Sequence, residues 1–292
     1  MRSFTIPRST NISVARLLTC MLFFASACLA QRVAIVAPDD GDGSRKFASK
    51  LENALDPKVK IVDDALARSA FDSAGFSSPL NLSVDEAKRV GRAIGCDFFV
   101  LVQSAVRRQS SFEREEYYDA YASIFLVSSR SGRLVEHRLT SELADRPADA
   151  SAKLDATISS TADSLIDKLR STAKSEMDEK PVPSMEEPPD DGSASAKNFR
   201  APVPFRRLKP DYTKLADSYE VTATVDMVVD LDAEGHVLRT EVARWAGYDL
   251  DESVEKAVRS MNWRPAERDG KFIPMRFLVR YNFKKVDTPS RP

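Results

Sequence analysis

Residues 173–199 constrain the fold more than any other part of this chain. Pro181, Pro183, Pro188 and Pro189 interrupt a run that carries Glu176, Asp178, Glu179, Glu186, Glu187, Asp190 and Asp191. The run has no apolar period and so no face to bury, and its prolines cannot continue a helix or a central strand. It reads as an acidic, Pro-rich linker, stiffer than Gly/Ser coil, with a reach of roughly 90 Å extended and about 30 Å as a coil. The segments on either side must each find a core from their own apolar pattern. The chain has 292 residues, 42% hydrophobic and 30% charged, enough for two packed domains. A net charge of −1 argues against a non-specific nucleic-acid binder, which needs a clear basic excess.

The first segment, 31–172, alternates strand and helix signals. Arg32–Ala37 is a short apolar strand of the kind buried on both faces of a sheet. Phe47, Leu51 and Leu55 then recur at helical spacing, and Val59–Val62 is a second strand. Ser83 and Glu86 form an S-x-x-E capping box that opens a helix ending near Ile94. Phe98–Val102 is a third buried strand. Tyr117–Val127 and Leu134–Leu139 flank a hairpin turn at Ser129–Gly132. Leu154, Ile158, Leu165, Ile166 and Leu169 make one stripe of a closing helix. The expectation is an α/β domain with helices on a mixed sheet.

In the second segment, 200–286, followed by a tail at 287–292, the pattern is sharper. Val221, Ala223, Val225, Met227, Val229 and Leu231 alternate with mostly polar residues, as in a half-buried strand. Asp232–Gly235 turns that strand back into Val237–Val242. Asp249 stands at the start of a helix whose apolar face is Leu250, Val254, Ala257, Val258 and Met261. Pro265 follows, and Ile273–Phe283 alternates again as a last strand. The order β-β-α-β predicts a small sheet with one helix on one face. The fold class is therefore α+β / α/β in two domains.

Lys209-Pro210-Asp211-Tyr212, Asp232-Ala233-Glu234-Gly235, Leu250-Asp251, Ala257-Val258-Arg259, Trp263-Arg264-Pro265-Ala266, Asp269-Gly270 and the strand Met275–Phe283 occur in an order and spacing that resembles the TonB family C-terminal domain. Thr213, Ala223 and Trp245-Ala246-Gly247 depart from the usual pattern. So does the placement of the chain's two histidines, His137 and His236, because energy-transducing members carry a histidine in a retained N-terminal anchor. The first segment resembles, less specifically, the α/β domain of curli-secretion-type lipoproteins and the TolB N-terminal domain.

The TonB resemblance implies a non-enzymatic, periplasm-facing protein that binds a partner segment by β-strand addition. An envelope protein, such as an outer-membrane transporter in TonB-dependent transport, would supply that segment. The alternative is an envelope scaffold or assembly lipoprotein with no energy-transducing role. Arg276, Phe277, Leu278, Val279, Arg280, Tyr281 and Asn282 on the last strand are the expected partner-binding edge. Arg276, Arg280 and Lys284, on the face opposite Phe277 and Tyr281, are expected to favour an acidic partner.

Other chemistry is thin. Asp230-x-Asp232-x-Glu234-Gly235 approaches a calcium loop, but its flanks have strand period, so it reads as a solvated hairpin turn. Gly41-x-Gly43 lacks the rest of a phosphate loop. His137, between Glu136 and Arg138, is expected to face solvent, and Cys96 to be a small buried hydrophobe. No catalytic constellation, metal site or cofactor site is expected.

The N-terminus reads as an export signal: Arg2, Arg8 and Arg16 precede the apolar run Leu17–Leu29, of about 13 residues where a span needs roughly 20. Cleavage after Ala30, or lipidation at Cys28 after Ala25-Ser26-Ala27, follows from the small residues there, and the acylated form would tether the chain to a membrane. The mature chain is expected to begin at Gln31 or at an acylated Cys28. Intact mass from membrane and soluble fractions checks this, and a full-length chain starting at Met1 would overturn it.

Overall fold

The computed structural model describes residues 31–39 and 41–285. The signal segment, Cys28 and the tail at 287–292 lie outside the described residues. Strand β1 (Arg32–Val36) leads into α1 (Asp42–Leu55), whose Phe47, Leu51 and Leu55 are buried as the spacing requires. The short β2 (Lys60–Ile61) and α2 (Asp64–Asp72) follow. Helix α3 (Val84–Ile94) begins at the expected reciprocal capping box, Ser83 with Glu86, and ends on left-handed Gly95. Three long strands come next: β3 (Phe98–Gln109), β4 (Tyr117–Ser128) and β5 (Leu134–Ala144). Helices α4 (Pro147–Ala156) and α5 (Ile158–Asp178) close this part. The sheet order is β2-β1-β3-β4-β5, with β1 parallel to β2 and β3 and the remaining pairs antiparallel. This is the mixed sheet that the pattern predicts.

Beyond residue 198, β6 (Phe199–Arg200) and β7 (Val203–Pro204) are two-residue strands, and α6 (Lys214–Ser218) is a single turn. The hairpin β8 (Ala223–Leu231) and β9 (Val237–Arg244) precedes α7 (Leu250–Arg259). Gly235 completes the hairpin turn at φ 90°, and a Cβ there would meet the Trp263 carbonyl oxygen at 2.2 Å. The short β10 (Trp263–Arg264), β11 (Ala266–Arg268) and β12 (Lys271–Ile273) lead to β13 (Met275–Phe283). The main sheet of this part has the order β13-β8-β9, all antiparallel. Val225, Met227, Val229 and Leu231 of β8 and Leu250, Val254 and Val258 of α7 are all fully buried in one cluster.

The two parts are not separate bodies tied by a free linker. One face of the first sheet, with Val33, Ile35, Val100, Ile124 and Leu126, packs with Leu51, Leu55, Leu165 and Leu169 of the helices. The other face, with Ala34, Val36, Phe99, Leu101, Phe125 and Val127, shares its core with Val90 and Ile94 of α3 and with Trp245, Tyr248 and the β8–α7 layer of the second part. The described residues form one compact unit. The linker reading also shifts. Helix α5 runs to Asp178, and the stretch that follows is held down by Arg133 with Glu179, Arg268 with Glu186, and Asn198 with Asp269. The acidic side chains that keep this stretch out of a core are what fasten it to arginines on the surface.

A shared core predicts one cooperative thermal transition with equal calorimetric and van't Hoff enthalpies, not two. Trp245 is 1% exposed, so Trp245→Ala is expected to cost about 3–5 kcal/mol by cavity formation, measured by urea unfolding.

Candidate functional site

The expected partner-binding strand, β13, is an edge strand. It pairs with β8 on one side, in register from Met275 opposite Leu231 to Phe283 opposite Ala223. On the other side, the Arg276 N–H donates to the Glu186 carbonyl oxygen at 2.8 Å. Alternate residues of a strand direct their backbone groups the same way, so Arg276, Leu278, Arg280 and Asn282 turn N–H and C=O away from β8. The Arg280 carbonyl is reached by Arg207 Nη2 at 3.5 Å. No hydrogen bond from another described residue reaches the N–H groups of Leu278, Arg280 and Asn282. Leu278 is 52% exposed.

The seven predicted edge residues therefore divide into two sets. Phe277, Val279 and Tyr281 turn their backbone to β8 and their side chains to the core. Trp263 meets the Phe277 ring edge-on at 5.1 Å. The two arginines are each engaged by an aspartate of β8. Arg276 donates to both oxygens of Asp230, at 2.7 and 2.8 Å. Arg280 does the same to Asp226, at 2.6 and 2.8 Å. Asp226 and Asp230 are nearly buried, and a buried carboxylate needs a partner that stays charged. Across the sheet, Arg244 reaches Asp226 at 3.5 Å and Arg239 reaches Asp230 at 3.9 Å. The outer face is thus an ion-pair ladder of four arginines around two aspartates.

The contact between the two parts contains a second constellation. His137 does not face solvent. Its ring lies 4.6 Å from Phe125 and 4.2 Å from Tyr248. The residue opposite it in β4 is Phe125, which places both on the face that the second part covers. The Tyr248 N–H donates to His137 Nδ1 at 3.0 Å, Nε2 lies 3.0 Å from Ser123 Oγ, and the Tyr248 hydroxyl donates to Ser123 at 2.8 Å. Because Nδ1 accepts, the neutral ring carries its proton on Nε2, so it cannot take a proton from Ser123 as a general base. Burial holds His137 down to about 4 and pushes Tyr248 up to about 12. Gly247, Tyr248 and Asp249 all have left-handed φ, at 70°, 54° and 60°. A Cβ on Gly247 would sit 2.7 Å from His137 Cγ. Asp249 stands at the N-terminus of α7 without capping it through its side chain. Asp251, in the first turn of α7, instead accepts N–H bonds from Ala246 and Gly247 in the turn before the helix. Burial pushes Asp251 up to about 7 against those bonds.

Three residues here carry no clear sequence signal. Asn81 is buried in a loop and splices the two parts together. Its side-chain amide donates to the carbonyls of Thr224 and Trp245 at 2.8 and 2.6 Å, and its oxygen accepts from Thr224 N at 2.9 Å. Glu186 and Arg268 meet beside the β13 edge. A cleft of about 460 Å³ lies between β5 and β9, lined by Arg133, His137, Glu241, Asp251 and Glu252 among others; its Arg133 is already paired with Glu179 and Glu241. On the β8–β9 turn, Asp232, Glu234 and His236 bring three ligand-type atoms within 4.8 Å of one another, though Asp232 spends its oxygens on the backbone of Glu234 and His236 and on the His236 ring.

Residues 209–284 match the family model described as Gram-negative bacterial TonB protein C-terminal. This part of the chain is a TonB-type C-terminal domain, and the match runs from the Lys209-Pro210 entry to the end of β13. Among solved structures, the TonB C-terminal domain of Pseudomonas aeruginosa is similar at 17% identity with a TM-score of 0.26, covering 33% of this chain and 95% of that one. Lipoprotein GNA1162 from Neisseria meningitidis is similar at 14% identity and TM-score 0.32, covering 46% and 99%. A minor lipoprotein from Acinetobacter baumannii is similar at 10% identity and TM-score 0.28, covering 50% and 96%. No curated protein matches. No helix among the described residues is long and apolar enough to cross a membrane.

The neutral His137 makes the contact between the parts acid-sensitive. A histidine with a depressed folded pKa binds fewer protons than the unfolded chain, so stability falls as pH drops from about 6.5 to about 4. The loss is on the order of 3 kcal/mol. Asp251, shifted the opposite way, gains stability as pH falls from about 7, so the two partly cancel in the native protein. The difference in unfolding free energy between native protein and His137→Gln isolates the histidine. That difference is expected to move against the native protein between pH 7 and pH 4 in urea titrations, and a constant difference would show that His137 titrates normally.

Proposed function

We propose that this chain is a periplasm-facing envelope protein that captures an extended partner segment on the open edge of β13. One observation carries this reading: the outward backbone groups of Leu278, Arg280 and Asn282 continue a ladder whose first rung, at Arg276, is already bonded by another stretch of chain. The partner is proposed to be another envelope protein, with an outer-membrane transporter as the case the TonB-type domain favours. Backbone bonds would supply the affinity, each about 0.5–1.5 kcal/mol net. Exposed Leu278 offers an apolar contact on the outer face.

A specific observation favours a second reading, an envelope scaffold without energy transduction. The TonB-type part is fixed to the α/β part through Trp245, Tyr248 and Asn81, and is not carried at the end of a free arm. Both readings use the same edge and differ in what the captured segment does afterwards.

Leu278→Pro removes one outward donor without touching the inner ladder, a change that edge strands tolerate. Arg280 is a poor place for the same test, since losing its guanidinium strips Asp226 of its bidentate partner. A photo-crosslinker at exposed Lys284 is expected to trap an envelope protein from whole cells. Leu278→Pro should lower the yield about tenfold and Leu278→Ala far less, with circular dichroism unchanged in both. Equal crosslinking in Leu278→Pro would rule out the edge.

A further inference from the structure

The segment that touches the first rung of β13 belongs to this chain, and its contacts have the form of a bound ligand. Glu186 lies outside any helix or strand. Its carbonyl oxygen accepts from Arg276 N at 2.8 Å, and its carboxylate pairs with Arg268 Nη1. The Arg268 Nε is buried and has no hydrogen-bond partner among the described residues. The Arg268 guanidinium also lies 5.6 Å from the Phe199 ring centroid, so Phe199 holds it in place. Glu186 therefore holds the guanidinium at Nη1 alone and not through the paired N–H groups of a carboxylate fork. The approach stops after one rung because Pro188 and Pro189 follow at once, and proline has no N–H to carry the ladder on. Leu278, Arg280 and Asn282 are thereby left open.

We infer that Glu186 and its neighbours are a resident ligand of the β13 edge, and that the edge takes an extended acidic segment whose carboxylate displaces Glu186 from Arg268. This rests on the strand-capture reading above and adds two things to it. The first is the chemistry of the partner: a strand with an Asp or Glu placed to meet Arg268, which supplies the positive charge in place of Arg276 and Arg280. The second is competition: the tethered stretch 179–198 keeps Glu186 at high local concentration beside its site, so an incoming strand must outbid it. The prolines set the strength of that competition by confining the resident to one rung.

The test uses the full chain and two synthetic probes, an alternating Thr-Val octapeptide carrying one Glu and the same peptide carrying Lys. Binding by fluorescence anisotropy is compared between the native chain and a chain with residues 183–191 replaced by Gly-Ser of equal length. The Glu probe is expected to bind the replaced chain about five- to tenfold more tightly than the native chain, the factor that a weak ligand at millimolar effective concentration imposes. Arg268→Gln in the replaced chain should bring the Glu probe down to the level of the Lys probe. Amide exchange should show the Arg276 N–H protected in the native chain and exposed in the replaced one. Equal binding of the Glu probe to both chains would overturn the resident-ligand inference alone, and equal binding of Glu and Lys probes would overturn the acidic subsite. No binding of either probe to the replaced chain would overturn edge capture itself.

Discussion

Phe125 is fully buried in the middle of β4, and its ring neighbours are His137, Trp245 and Tyr248. Two of those three come from the far end of the chain. The face of the first sheet that carries Phe99, Leu101, Phe125 and Val127 would expose a large apolar patch if α2 and α3 were its only cover. The turn Trp245–Asp249 completes that cover, and much else follows. It takes three successive left-handed residues to bring Trp245 and Tyr248 down together. Gly247 must be glycine where it meets His137. Asp251 bonds the turn's N–H groups from within the core, where burial raises its pKa against the effect of those bonds. Asn81 and Arg244 then sew the rim, with Arg244 bonding the Asn81 carbonyl and pairing with Glu86 of the α3 capping box.

Fixing the TonB-type part in this way ties down one end of β9, the other edge strand of its sheet. β9 has its end tied down where Trp245 N donates to Leu82 O and Ser83 bridges Arg244, and its face is turned toward the first part. β13, at the opposite side of the same sheet, is left to solvent and to the 179–198 stretch. An open edge invites pairing with any strand. Here the risk is contained by using Arg276 and Arg280 internally against Asp230 and Asp226, by limiting the resident segment to one rung, and by keeping the remaining donors few.

Local features were legible in the sequence where one residue's chemistry suffices. The Ser83/Glu86 capping box, the Phe47–Leu55 stripe, the β8–β9 hairpin and the alternation of β13 all stand where their patterns place them. The readings that changed depend on a distant partner. His137 between Glu136 and Arg138 has the neighbours of a surface residue, and only Tyr248, 111 positions away, makes it a half-buried acceptor. Arg276 and Arg280 read as free charges because Asp230 and Asp226 lie on another strand, where the register decides whether they meet. Asp249 has the right chemistry for a cap, but its backbone is left-handed and its side chain makes no cap bond.

By itself the sequence determined the periods: where the chain alternates, where it coils, and where prolines and acids leave it with no face to bury. That is enough to set each element and the TonB-type order of the last third, because strand and helix periods arise from backbone geometry within a few residues. The tertiary structure decided what those elements cover. An acidic, proline-rich stretch cannot join a core, and the sequence reads that as separation. Whether two apolar faces on either side of it then meet is a question of complementary area between residues more than a hundred positions apart, and no local pattern encodes it. The shared core around Phe125 and Trp245, the ion-pair ladder on β13 and the capture of Glu186 by Arg268 all arise at that level.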